Sequence, residues 1–245
     1  MSLATTELHI IRANEVDINR RLTLPAMINL MQETAWSNTE DLDASVYHLQ
    51  ELGITWVVTR LKITIYDLPL HREKVYVETW PSGTARAFVY RDYRVYSEQK
   101  SLLAEATSTW IVLDFVNRNI SRLPDEMTPR TRVPEGCTPL PRATDRIVMP
   151  ETTLPEKRFS VRWHDLDPNG HVNNMLYFQW ALEALPEIWS RQGQVAEMDM
   201  IIRSECGHGD TILSRIGRES EKVFVHEIVQ ESEGRILAQA RTVMR

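Results

Sequence analysis

Asp167, Asn169 and His171 bring a carboxylate, an amide and an imidazole to alternate positions of one short stretch. In an extended or turning segment, alternate residues can face one side. The carboxylate can orient a water or accept its proton, and the imidazole can do either, according to its pKa. The amide can position a nucleophile or hold a developing oxyanion. A strongly apolar helix is expected directly behind them, starting near Asn173 or Asn174. Its free N–H groups and positive dipole end can polarise a carbonyl. These pieces suit acyl transfer to water. The same residues would also serve as an Asx-turn and helix cap with a locally satisfied histidine.

A second polar patch runs Arg203-Ser204-Glu205-Cys206-Gly207-His208-Gly209-Asp210. Glu205 and Cys206 are expected to close an apolar strand containing Met198, Met200, Ile201 and Ile202. Glu205 is a candidate general base, and Cys206 a candidate nucleophile if His171 lowers its thiol pKa. A charged strand end followed by a glycine turn would look the same. Cys137 lies in a proline-rich stretch and reads as incidental.

Other chemistries fit poorly. Asp165-Leu166-Asp167-Pro168-Asn169-Gly170 opens like a calcium loop, but Leu176 stands where the twelfth position needs glutamate. His164, His171, Cys206 and His208 are zinc donors by type, but their spacing fits no standard zinc motif. No G-x-S-x-G, P-loop or G-x-G-x-x-G is present. The formal net charge of −6 argues against a global nucleic-acid binder. No apolar run is long enough to span a membrane, and the N-terminus lacks signal-peptide features. Two distant cysteines fit a reducing compartment.

The elements that must position these residues come in a repeating order. A strand over 8–11 precedes a helix capped by Thr23, with Met27, Leu30, Met31, Thr34 and Ala35 as its buried stripe. A short helix over 43–52 stops at Gly53, and strands follow over 54–66, 73–80, 87–96 and 103–114. Residues 124–156 hold seven of the twelve prolines and read as a surface linker. The second half predicts a strand over 157–162, a helix over 174–185, and strands over 197–206, 210–218, 223–231 and 235–245. Shifting the first half by 150 positions puts Asp17 on Asp167, Asn19 on Asn169, Arg21 on His171 and Glu33 on Glu183. This points to a duplication: residues 1–123, a linker over 124–156, and residues 157–245.

The run Asp165 to Asn174 with Tyr177, Trp180 and Glu183 resembles the signature of plant and bacterial acyl-ACP thioesterases. Arg203-Ser204-Glu205-Cys206-Gly207 resembles that family's second signature, usually with a basic residue at the place of Ser204. Gln32-Glu33-Thr34-Ala35 and Ile54 to Arg60 match its N-terminal pattern, so the similarity covers roughly residues 8–245. H-V-N-N alone is less specific, because single hot-dog acyl-CoA thioesterases share it.

The resemblance implies an α+β tandem (double) hot-dog, each half a long helix wrapped by a curved antiparallel sheet. It implies hydrolysis of the thioester between a fatty acyl chain and acyl carrier protein, with no metal and no cofactor. The family's catalytic positions fall on Asp167, Asn169, His171, Glu205 and Cys206. A glutamate beside the thiol disfavours its anion, which favours base-assisted water attack. Arg21 replaces the histidine in the first half, whose expected task is acyl-chain accommodation. Met27, Met31, Trp56, Val58, Trp80 and Trp110 are its candidate substrate-binding residues. Arg130, Arg132, Arg142, Arg146, Lys157, Arg158 and Arg162 are the cations considered for docking the acidic carrier. The expected location is cytoplasmic, because the chain begins almost at its first strand; a homodimer is allowed for. The rivals are an acyl-CoA hydrolase of the same fold and a non-catalytic acyl-binding hot-dog protein.

Overall fold

The computed structural model describes residues 2–167 and 170–245, without the side chains of 190–192. The chain forms two compact units divided after Ala143. That division falls inside the proline-rich stretch.

Unit 1 runs β1 (Thr5–Ile10), α1 (Leu24–Asp41), α2 (Val46–Glu51), β2 (Ile54–Ile65), β3 (Lys74–Ala85), β4 (Phe88–Ser97) and β5 (Leu102–Asp114). Its antiparallel sheet has the order β1-β3-β4-β5-β2. Thr23 caps α1 by accepting from the Ala26 amide, and Pro25 fits the first turn, where its missing N–H costs nothing. Met27, Leu30, Met31, Thr34 and Ala35, the stripe that the helical spacing predicts, are buried along α1, and Ile28 is buried beside them. That stripe packs on β1 and β3. Removing one buried methionine side chain from such a stripe costs about 2–5 kcal/mol.

Unit 2 repeats the plan. It runs β6 (Thr153–Ser160), α3 (Asn174–Glu183), α4 (Glu187–Gln192), β7 (Val195–Ile202), β8 (Thr211–Ser220), β9 (Val223–Gln230) and β10 (Arg235–Met244). Its antiparallel order is β7-β10-β9-β8-β6, unit 1's order with each strand in the corresponding place. α3 packs on β8 and β9, and the Ser214 hydroxyl donates to the Trp180 carbonyl at 2.8 Å.

The structure departs from the sequence reading at several ends. β1 starts at Thr5, three residues early, and α4 was not anticipated. β7 stops at Ile202 rather than 206, because the Arg203 and Ser204 amides both turn onto the Leu237 carbonyl at 2.7 and 3.2 Å. Glu205 and Cys206 therefore sit on the connection beyond the strand.

The stretch 124–156 is more tied down than a linker of that composition suggests. Asp125–Thr131 forms a 3-10 turn with Met127 buried in a cluster with Leu42, Leu49, Val89 and Val112. Arg142 reaches the fully buried Asp92 of β4 at 2.5 Å and also meets Thr107 and Ser82. The Leu140 amide donates to the second Asp92 oxygen at 2.7 Å. At the other end, a Cβ on Gly217 would stand 2.6 Å from Pro150, so β8 and residues 149–150 meet closely because that position is glycine.

Candidate active site

Two loops of unit 2 build the site. The first leaves β6 through a 3-10 turn, Trp163–Asp165. Asp165 shapes it by accepting from the Arg162 amide at 2.8 Å and from the Arg162 guanidinium at 2.8 Å. Burial raises the Asp165 pKa, but those bonds outweigh it and hold the carboxyl below its ordinary value. The Asp165 carbonyl then accepts the Asn173 amide at 2.9 Å. Inside this frame Leu166 bridges Val172, and the Asp167 amide donates to the His171 carbonyl at 2.8 Å. Gly170 closes the turn at φ 77°, a conformation that costs glycine little. Asn173 is the N-cap of α3 and accepts from the Met175 amide at 3.0 Å.

The second loop follows β7. The Val172 amide donates to the Cys206 carbonyl at 3.2 Å, which ties the two loops together. Asp210 holds the turn beyond, accepting from the Gly207 amide at 2.9 Å and from Gln230 at 2.9 Å.

This framework brings His171 Nε2 to 3.4 Å from Glu205 Oε2, both partly open to solvent. Asp167 lies on the same loop, and one of its carboxylate oxygens accepts from the His171 amide at 3.4 Å. Cys206 is different: it is 4% exposed, and its sulfur meets the Tyr177 hydroxyl at 3.3 Å. Burial pushes its thiol up to about 11. Burial also raises the Tyr177 phenol, whose hydroxyl donates to the Ser204 carbonyl at 3.3 Å. Asn169 lies outside the described residues. Of the other four expected positions, His171 and Glu205 pair, Asp167 belongs to the loop frame, and Cys206 lies beneath.

Sequence reasoning missed Asp165, Asp210 and Tyr177 as site-shaping residues. Asp165 stands three residues after Arg162 in the sequence, inside both the calcium-like run and the family signature, but neither pattern shows that its carboxylate shapes the turn. Tyr177 belongs to the signature and to the apolar helix, and neither points to its hydroxyl as a partner of Cys206.

The same frame exists in unit 1 without its chemistry. The Asp17 amide donates to the Arg21 carbonyl at 2.9 Å, Val16 bridges Leu22, and the Thr23 amide donates to Glu15. The Arg12 amide donates to the Glu15 carboxylate as Arg162 does to Asp165. The Leu22 amide donates to the Pro69 carbonyl, and the Leu70 amide to Glu73, as Val172 does to Cys206 and Gly207 to Asp210. Arg21, Leu68 and Pro69 thus stand at the places of His171, Glu205 and Cys206. Arg20 and Arg72 hold φ of 63° and 72° where unit 2 has Gly170 and Gly209.

The six candidate chain-binding residues of unit 1 divide by sheet face. Arg91 bonds both Thr79 and Asn38 of α1, so Thr79 marks the α1 side of β3 and its neighbour Trp80 the reverse side. Trp80 is fully buried there with Arg94 over its ring at 5.2 Å. Strand register puts Trp56, Val58 and Trp110 on the α1 side, where Met27 and Met31 are buried. Trp56 and Trp110 pack on the cluster under α2. Among the considered docking cations, Arg130, Arg142, Lys157, Arg158 and Arg162 face Asp43, Asp92, Glu183, Glu231 and Asp165 within the chain.

Two helix-on-sheet units of identical strand order define a tandem hot-dog protein. Solved structures agree: an acyl-ACP thioesterase from Bacteroides thetaiotaomicron superposes with a TM-score of 0.89 at 23% identity, covering 99% of this chain and 98% of that one. A 12:0-ACP thioesterase from Umbellularia californica gives 0.85 at 22% identity, covering 100% and 98%. Residues 3–130 match the acyl-ACP thioesterase N-terminal domain and residues 149–245 its C-terminal domain, so the chain belongs to the acyl-ACP thioesterase family. A chloroplastic oleoyl-acyl carrier protein thioesterase of Coriandrum sativum is 27% identical over 90% of this chain. A chloroplastic palmitoyl-acyl carrier protein thioesterase of Gossypium hirsutum is 26% identical over 86%. The chain spans 64% and 54% of the lengths of these two relatives. No helix among the described residues is long and apolar enough to cross a membrane.

Proposed function

We propose that this chain hydrolyses the thioester linking a fatty acyl group to acyl carrier protein, releasing the free fatty acid. The observation that carries the reading is the His171–Glu205 pair, held at 3.4 Å in unit 2 on a frame whose unit 1 copy carries Arg21 and Leu68. Family membership supports the substrate class.

In this mechanism Glu205, aided by His171, takes a proton from water as the oxygen attacks the thioester carbonyl carbon. The Asn169 amide and the N–H groups at the start of α3 stabilise the tetrahedral oxyanion. Collapse breaks the carbon–sulfur bond, and the proton held by the pair passes to the departing pantetheine sulfur. Asp167 fixes the turn that presents His171. Cys206 supports the site rather than attacking: with its pKa near 11, roughly one thiol in ten thousand is ionised at neutral pH. Met27, Met31, Trp56, Val58 and Trp110 are assigned to chain accommodation in unit 1. Trp80, on the reverse face, has no support for that role. A cytoplasmic location and a homodimer complete the reading.

Paired kinetics test it. Hydrolysis of acyl-ACP well above that of the matching acyl-CoA is expected. Equal rates on both would point to an acyl-CoA hydrolase, and binding without turnover to an acyl-binding protein.

A further inference from the structure

β1 ends the strand order of unit 1, and no strand pairs with its outer edge among the described residues. Its register against β3 runs without a shift, from Thr5 opposite Thr79 to Ile10 opposite Lys74. The ladder continues at Ile11, whose amide donates to the Glu73 carbonyl at 3.0 Å. Backbone groups alternate in direction along a strand, so the odd-numbered residues turn theirs to β3, and Thr6, Leu8 and Ile10 turn theirs to the open edge. His9 bonds Thr34 of α1 at 2.9 Å, which places Glu7 and His9 on the α1 side and the three even-numbered residues on the reverse side. There Leu8 is 51% and Ile10 55% exposed.

An open row of backbone donors and acceptors beside exposed apolar side chains is a template for another strand, and folded chains normally block it. Unit 2 does so. Its corresponding end strand, β6, carries Pro155, shifts register between Leu154 and Lys157, and holds Glu156, Lys157 and Arg158. Proline, bulge and charge are each ways of guarding an edge. β1 has no proline, no lysine and no register shift, and its ionisable residues, Glu7 and His9, sit on the α1 side. Of two strands in the same place of a repeated plan, one is guarded and the other is left open.

The sequence of β1 fits its own copy. Antiparallel pairing through the outward groups must set even-numbered residues opposite even-numbered ones, so a two-fold axis that keeps most of β1 paired falls on Glu7, Leu8 or His9. An axis on Glu7 sets two carboxylates against each other, which is destabilising. An axis on His9 sets Glu7 opposite Ile11 and Thr6 opposite Arg12. An axis on Leu8 sets Leu8 opposite Leu8, Thr6 opposite Ile10 and Glu7 opposite His9. In that register the Leu8 pair and both Thr6–Ile10 pairs exchange backbone hydrogen bonds. Glu7 and His9 fall on the intervening positions, where opposed side chains come closest. A carboxylate and an imidazole attract there whether the ring is charged or donates as a neutral N–H.

We propose that β1 is the surface on which a second copy of this chain docks: two β1 strands pair antiparallel, edge to edge, about a two-fold axis at Leu8, and the sheet of unit 1 runs on into that of the other copy. Main-chain hydrogen bonds supply the attraction, and the Glu7–His9 pairing selects the register. The inference gives a surface to the homodimer of the proposed function and rests on that part of the reading, not on its chemistry.

Sedimentation velocity of the unaltered chain in the micromolar range is expected to show a dimer. Leu8→Lys, a charge placed at an exposed edge position, should give a monomer with an unchanged melting temperature. In a Cys137→Ser background, Leu8→Cys should form a disulfide-linked dimer on mild oxidation, because the residues of a bonded pair stand about 5.5 Å apart at Cα, within disulfide range. Thr6→Cys should not, since its two copies would lie about 14 Å apart along the strands. Glu7→Lys and His9→Glu should each be monomeric alone and should pair when mixed in equal amounts, because the new lysine then faces the new glutamate while His9 faces Glu7. A monomeric unaltered chain overturns the inference, and an edge that serves some other partner would give that result. A dimer that survives Leu8→Lys, or that Leu8→Cys does not crosslink, overturns it too. Hydrolysis assayed on the same samples decides the proposed reaction separately, since none of these substitutions alters His171 or Glu205.

Discussion

The sulfur of Cys206 lies 3.3 Å from the phenol oxygen of Tyr177 of α3, both residues buried. That relationship separates two roles a cysteine beside a histidine could play. A thiol shared with a phenol and raised to about 11 is a packing and hydrogen-bonding group. Cys206→Ser is therefore expected to keep activity within about tenfold of the unaltered enzyme, since general-base attack by water does not pass through the thiol. Alkylation by iodoacetamide should be slow at neutral pH. A Cys206→Ser variant as inactive as a base knockout would establish the thiol as nucleophile.

Glu205→Gln and His171→Ala should each lower kcat by about a hundredfold or more, the usual range for losing a positioned proton-transfer group. Neither should shift the melting temperature much, because both side chains are partly solvent-exposed. Combining them should cost less than the product of the single effects, because the two act as one pair. Full additivity in the double variant would show that they work separately.

Asp92 is fully buried and held by Arg142, Thr107 and the Leu140 amide. Asp92→Ala leaves the Arg142 cation without its counter-charge, and should lower unfolding free energy by about 3 kcal/mol. Urea denaturation would measure it. Limited proteolysis should then cut near residues 132–143, which the pair pins to unit 1.

His226 is fully buried on the α3 side of β9, and neither ring nitrogen has a partner among the described residues. Burial pushes its pKa from 6.5 down to about 3, so the folded protein holds it neutral. The unfolded chain takes up the proton first as pH falls. Stability from this group is complete above pH 6.5 and is lost progressively towards pH 3. The loss from pH 8 to pH 5 should be about 2 kcal/mol. His226→Leu should flatten that part of the stability profile; an unchanged profile would place the acid sensitivity elsewhere.

Much of this was legible in the chain. The α1 stripe, the Thr23 cap and the repeated element order follow from local spacing, and the structure keeps them. The offset that pairs Asp17 with Asp167 also pairs the hydrogen bonds those residues make. What the sequence could not show is what tertiary contact decides. β7 ends early because two amides turn onto Leu237 from another strand. Trp80 looked like pocket lining by type, yet the pleat sends it to the face away from α1. Arg142 looked like a surface cation in a proline-rich stretch, but a buried Asp92 fifty residues earlier claims it. Arg91 gave no signal, since a charge in an alternating strand is normally solvated.

The paired loops of unit 2 have a counterpart in unit 1 that carries Arg21, Leu68 and Pro69. Asp17 and Asp167, Glu15 and Asp165, and Glu73 and Asp210 make the same bonds to backbone amides in both. None of those bonds runs through the imidazole of His171 or the carboxylate of Glu205. Shape and reactivity are therefore encoded by different residues of the same few turns. Within one polypeptide, the first copy is a standing knockout of the second, showing that the cradle persists when its reactive groups are exchanged.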